Sequence, residues 1–314
     1  MKCELLVHPD EISTDLIDRF AAAGVSTLGI HPVGGKGAAD SLASLLDELS
    51  GKSLPALLDY ASERGLDIEY EFHSASYLVP RSLFDAHPEY FRMDESGVRT
   101  PDYNFCVSND EALELFSDNA VKVASKLYRS SPNYYFWLDD RKDRHCHCEK
   151  CRGLSSSDKQ LKVINAVAEK LRSFRSDAKV AYLAYFDTVA VPSVFKPADN
   201  VFLEYAPFEK YVYKGDDRDE VVARELAAVS PLLKLFGEGD AKVLEYWYDN
   251  SMFSGWKKPP KELKLDRAAM AKDISEYKAN GFEYISSFAC YLGPDYDALY
   301  DKADFKPFTE EVER

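Results

Sequence analysis

The sequence predicts an α/β fold of the (β/α)8 TIM-barrel type with long βα loops. Three observations lead there. Eight short apolar or alternating runs recur along the chain, separated by helical patterns. The first two runs, CELLVH (Cys3–His8) and TLGIH (Thr27–His31), share one grammar, strand to His to Pro, around a single helix, which makes a βαβ unit. The alternation passes once through 314 residues, and barrels of about 250 residues routinely form one domain, so a single domain over 1–314 is expected. A doubly wound open sheet is the competing architecture, but no GxGxxG turn follows the first run.

The elements follow in order. Pro9 stops the first strand, and Asp10–Ala23 then places Ile12, Leu16, Ile17 and Phe20 at helical spacing, with Ser13 or Thr14 as cap and Gly24 as stop. After the second strand, Pro32–Asp40 (PVGGKGAAD) is a glycine-rich loop without the GxxxxGK(S/T) spacing of a phosphate cradle. Helical patterns run through Leu49 and from Leu54 to Arg64, closed by Gly65. The third strand, Asp67–His73 (DIEYEFH), alternates, with Glu69, Glu71 and His73 on one face and Ile68, Tyr70 and Phe72 on the other. An acidic inward face predicts pocket lining or pairing with buried bases. Ser74–Asn109 is a long irregular connection, a length that in a compact domain signals function. Glu111–Tyr128 reads as a helix capped by Asn109 or Asp110, and Asn133–Asp140 as the fourth strand. Ser155–Arg172 is amphipathic, with Leu161, Ile164, Val167, Ala168 and Leu171 on one side. Strands are expected at Lys179–Phe186, Asn200–Tyr205, Lys242–Tyr248 and Phe282–Tyr291, with helices at Asp219–Phe236 and Leu265–Ala279 between the later ones. The last twenty residues read as an irregular cover.

Bulk properties narrow the partners. A hydrophobic content of 46% supports a large core, and no apolar run approaches the roughly 20 residues that span a bilayer. The start, MKCELLVHPDE, lacks the apolar stretch of a signal peptide, so a cytoplasmic location is expected. Six cysteines in so long a chain do not form a disulfide framework; in a reducing compartment CxCxxC reads as metal-binding or redox. A net charge of −15 argues against nucleic acid and anionic membranes as partners.

The stretch NYYFWLDDRKDRHCHCEKC (Asn133–Cys151) concentrates the chemistry. An apolar strand ends in Asp139 and Asp140, where barrels place their catalytic groups. Glu204 and Glu245 end the sixth and seventh strands and complete a set of carboxylates that a barrel aims at one pocket. Glycoside hydrolysis needs such a pair: one carboxyl protonates the leaving oxygen while the other acts as nucleophile or base, with retention at about 5 Å separation and inversion at roughly 6.5–9.5 Å. Trp137, Tyr205, Tyr246 and Trp247 adjoin the acids and offer aromatic faces to a sugar, while His31 and His73 are positioned for its hydroxyls. Cys146, Cys148 and Cys151 supply three zinc ligands, with Cys106 as the fourth and His145 or His147 as alternatives. A thiolate-rich set points to a structural zinc that fastens two loops. The expected function is a glycoside hydrolase acting on a carbohydrate substrate. The alternatives are a non-catalytic carbohydrate-binding barrel and a zinc-dependent hydrolase.

The motifs HPEYFRMDESGVR, NFCVSND, FWLDD and CHCEKC, followed by DKQLKVINAVAEKL and AYLAYF, resemble the family called domain of unknown function 4838. That family is grouped with TIM-barrel glycoside hydrolases, near family 20 hexosaminidases and bacterial alpha-glucuronidases. The resemblance runs from about His87 to Phe186 and more weakly to the C-terminus. It implies a glycosidase-like barrel without implying a substrate. Two features depart from the pattern: the first barrel strand is expected to begin near Cys3, whereas longer members carry an extra N-terminal α/β domain, and the fourth strand ends in Leu138–Asp139–Asp140 rather than in a small residue and one Asp.

Overall fold

The computed structural model describes residues 1–212, 217–237 and 239–314. Its eight strands are β1 (Lys2–Val7), β2 (Thr27–Ile30), β3 (Asp67–His73), β4 (Asn133–Trp137), β5 (Lys179–Ala184), β6 (Val201–Tyr205), β7 (Lys242–Glu245) and β8 (Tyr284–Phe288). They pair in parallel, in chain order, and β8 returns to β1, so the sheet is a closed (β/α)8 barrel. Most end sooner than the sequence pattern suggests, because the residues after them leave the sheet to build the barrel mouth. Among the described residues no helix is long and apolar enough to cross a membrane.

Helix boundaries follow local chemistry. Ser13 caps Thr14–Ala23, accepting from the Leu16 backbone N–H, and Gly24 ends that helix in the left-handed region at φ 87°. Asn109 caps Asp110–Ala124 and Ser155 caps Ser156–Phe174 in the same way. Two expectations need correction. The single helix expected over 219–236 is two, Arg218–Ala227 and Val229–Phe236, with Pro231 in the first turn of the second, where a missing N–H is tolerated. The C-terminal segment is not irregular throughout: Lys306–Glu313 is a helix that buries Phe308 and Val312.

Strand parity decides what fills the barrel. The predicted alternation of β3 holds, with Ile68, Tyr70 and Phe72 packed outward against the helices. Glu69 and Glu71 point inward, where they meet Glu4, Glu204 and one base, Lys242, all of them fully buried. Lys242 Nζ pairs with Glu4 and Glu71 and stands 3.7 Å from Glu204 and 3.9 Å from Glu69. Tyr135, Asn133 and Ser131 donate to Glu69, and Tyr284 donates to Glu4 at 2.8 Å. One cation cannot balance four buried carboxylates, so burial keeps protons on some of them. It raises Glu4 and Glu71 well above the ordinary range and Glu204 to about 7. Burial also opposes the Lys242 charge, but Glu4 and Glu71 outweigh it and raise the ammonium pKa. Space for this cluster comes from Gly29: a Cβ there would lie 2.5 Å from Glu4 Oε1 and 2.7 Å from Leu6 Cγ.

Candidate active site at the barrel mouth

Above the charged interior, the C-terminal ends of the strands enclose a cavity of about 400 Å³. Inward parity brings His8, His31, His73 and Trp137 to it from the ends of the first four strands. Tyr185, Tyr246 and Phe288 close the other side, and Trp256 and Tyr291 reach in from loops. A cleft of this kind, mostly aromatic with a few convergent polar groups, is the usual form of a small-molecule site.

The histidines are held by the backbone. His8 Nδ1 lies 2.7 Å from the His31 carbonyl, His31 Nδ1 2.7 Å from the Glu71 carbonyl, and His73 Nδ1 2.7 Å from the Leu138 carbonyl. A carbonyl only accepts, so each Nδ1 carries a proton and donates it, which leaves Nε2 as an acceptor in the neutral ring. Burial, followed by the neighbouring His8 and His73, holds His31 well below the ordinary imidazole range. Gly34 permits the Pro32–Gly35 loop to lie over these rings, since a Cβ there would meet His73 Cδ2 at 2.9 Å.

Two carboxylates line this cavity, Asp140 after β4 and Asp249 after β7. Asp249 is buried; its Oδ1 accepts from Ser251 Oγ at 2.6 Å and from the Met252 N–H at 3.1 Å, capping the short helix Asn250–Phe253. Burial pushes its carboxyl up despite those hydrogen bonds. Tyr185 and Tyr246 line the same cavity; burial raises both phenols well above the ordinary range, and the charge of Asp140 adds to the effect on each.

The remaining acids anticipated from the sequence lie elsewhere. Asp139 turns away and pairs with Arg81 Nη2 at 2.7 Å, while its backbone N–H donates to Asn104. Burial raises its carboxyl and Arg81 opposes that. Glu204 lies in the barrel interior beneath the cavity floor, accepting from Trp137 Nε1 at 2.7 Å. Glu245 faces outward into a buried cluster, where it accepts from Lys210, from Tyr211 at 2.8 Å and from Tyr277. Of the expected sugar-contacting residues, His31, His73 and Trp137 line the cavity. Tyr205 instead packs outward on Phe282, and Trp247 donates to Asp273 at 3.1 Å in the helix layer. Asp249, Tyr185 and His8 were not singled out in the sequence. The repeated strand-His-Pro grammar was the available signal for His8.

Cys106, Cys146, Cys148 and Cys151 come together, their sulfurs all within 4.8 Å of one another and all buried. Cys106 Sγ lies 3.7 Å from Cys148 Sγ and 3.9 Å from Cys151 Sγ. Four ligands at the Zn–S distance of about 2.3 Å would sit roughly 3.8 Å apart at the corners of a tetrahedron, so the residues fit a zinc ion. Backbone N–H groups of Met93 and Cys148 point at Cys146 Sγ, at 3.3 and 3.5 Å, as suits a thiolate. The neighbouring histidines are turned elsewhere, His145 toward Asp187 and His147 toward Glu95.

The fold is shared with enzymes of known structure. Endo-glycoceramidase II from Rhodococcus sp., solved as a lactosyl-enzyme intermediate, superposes with a TM-score of 0.56 at 10% identity, over 92% of this chain and 73% of that one. Thermotoga maritima Cel5A in complex with cellobiose gives 0.54 at 11% identity, over 99% and 96%. A GH5 xyloglucanase from Bacteroides ovatus with a XXXG heptasaccharide gives 0.52 at 11%, over 97% and 68%. At such identities the likeness is one of fold. No curated protein matches the sequence. The family described as domain of unknown function (DUF4838) matches residues 56–223, and the chain belongs to that family.

Proposed function

We propose that the chain is a glycoside hydrolase whose working carboxylates are Asp140 and Asp249. The observation that carries this reading is their placement: two acids reach one aromatic-walled cavity from the ends of β4 and β7. Asp249, buried and with its pKa pushed up, takes the part of general acid on the glycosidic oxygen in this reading. Asp140, the other acid of the cavity, acts as nucleophile or base. Trp137, Tyr246 and Trp256 supply faces for the C–H surfaces of a sugar, and the Nε2 atoms of His31 and His73 accept from its hydroxyls. The Cys106 cluster holds zinc in this reading and fastens the long loop after β3 to the loop after β4; the four-sulfur geometry supports a closed structural site rather than a reacting one.

A panel of nitrophenyl glycosides tests the assignment. Asp140→Asn and Asp249→Asn are each expected to lower kcat/KM by at least about 10²-fold, the scale of acid–base participation. Turnover that survives both substitutions, or sugar binding with no turnover on any glycoside, would sink it.

A further inference from the structure

A second donor set lies outside the cysteine cluster. An imidazole nitrogen of His8, a carboxylate oxygen of Glu11 and Sγ of Cys290 all lie within 4.8 Å of one another, and the three residues are buried. We propose that His8, Glu11 and Cys290 form a divalent transition-metal site of the zinc class in the cavity wall, open toward the cavity.

Four features support it. The donors are pre-set by main chain: Glu11 Oε2 accepts from the His8 N–H at 3.0 Å and Oε1 from the Gly293 N–H at 3.2 Å. Gly293 is needed for that approach, because a Cβ there would lie 2.7 Å from Glu11 Cβ. His8 donates its Nδ1 proton to the His31 carbonyl, the outer-shell bond that orients metal-bound histidines and leaves Nε2 free to ligate. Among the described residues no Lys or Arg pairs with Glu11, and a buried carboxylate is ordinarily paired or metal-bound. Nitrogen, oxygen and sulfur donors together suit a borderline cation, and three protein ligands leave a fourth position vacant for a ligand. His8 and Cys290 both line the main cavity, so that position faces its contents. Metal binding forms the S–metal bond and releases the thiol proton to solvent.

The test uses the full chain, stripped with a chelator and titrated with Co2+ while thiolate-to-cobalt absorption is followed. Wild type is expected to saturate with one more ion per chain than Cys290→Ala, and the extra absorption to vanish in that variant. Equal saturation of the two proteins overturns the assignment. Should Cys290→Ala fail to fold, anomalous scattering from wild-type crystals soaked in Co2+ decides the matter. A peak between His8, Glu11 and Cys290 supports the site, and no peak there overturns it.

Discussion

Trp137 donates its indole N–H to Glu204 at 2.7 Å, so one aromatic wall of the cavity is anchored to the charged interior of the barrel. The interior cluster and the mouth are therefore one polar system, and the proton content of the first bears on the second.

Glu204 makes the stability of the fold pH-dependent. Its pKa is raised from 4.5 to about 7 in the folded chain, chiefly by burial. Between those values the folded state binds a proton that the unfolded state has lost, so this contribution to stability is complete below about pH 4.5 and disappears as pH rises through 7. A shift of this size corresponds to about 3 kcal/mol. Urea denaturation of wild type and Glu204→Gln across this range is expected to show a shallower decline in the variant.

Lys242→Met removes what is, among the described residues, the one base paired with the four interior glutamates. The expected cost at pH 7 is about 3–5 kcal/mol. Protonating the carboxyls removes the charge that the base balances, so the deficit shrinks as pH falls through about 7, the folded-state value of Glu204; a thermal melt series over pH reads both effects.

Gly29→Ala drives a methyl into Glu4 and Leu6, and Glu4 is pinned by Lys242 and Tyr284. Overpacking of this kind costs about 1–3 kcal/mol. A fall in denaturation midpoint with unchanged m-value is the expected result.

Glu245→Gln separates support from chemistry. It weakens the bonds to Lys210, Tyr211 and Tyr277 and is expected to cost about 1–3 kcal/mol of stability. The kcat/KM of the folded variant stays near wild type, in contrast with Asp140→Asn, and parallel melts and glycosidase assays make the comparison.

Zinc bound by the four cysteines predicts a linked loss of metal and stability. Chelation is expected to lower Tm by at least about 5 °C, and Cys148→Ser to reproduce the loss without chelator. Scanning calorimetry paired with elemental analysis checks it.

The barrel was legible in the sequence because helical and strand periods alternate cleanly, and β3 even showed its inward face through Glu69, Glu71 and His73. The orientation of the other strand-end acids was not. VFLEY and KVLEY put Glu204 and Glu245 in the same local pattern, yet the first points into the barrel and the second away from it. In both strands the Glu follows an apolar pair, so nothing local marks the phase; the register that sets Glu204 beside Lys242 decides it. Asp249 was hidden for another reason. It lies beyond the strand, and the turn that caps Asn250–Phe253 is what brings it to the cavity. The pairing of Cys106 with the later cysteines was readable from spacing, because adjacent strands place their exit loops side by side.

The carbonyl-bound histidines have a consequence for selectivity. Because main chain fixes their tautomer, His31 and His73 offer lone pairs that a neighbouring side-chain substitution does not convert into donors. A deoxy analogue lacking the matching hydroxyl would strand a desolvated acceptor, a penalty of about 1–3 kcal/mol at each ring. The cavity wall thus discriminates by what a ligand fails to bring as much as by what it contributes.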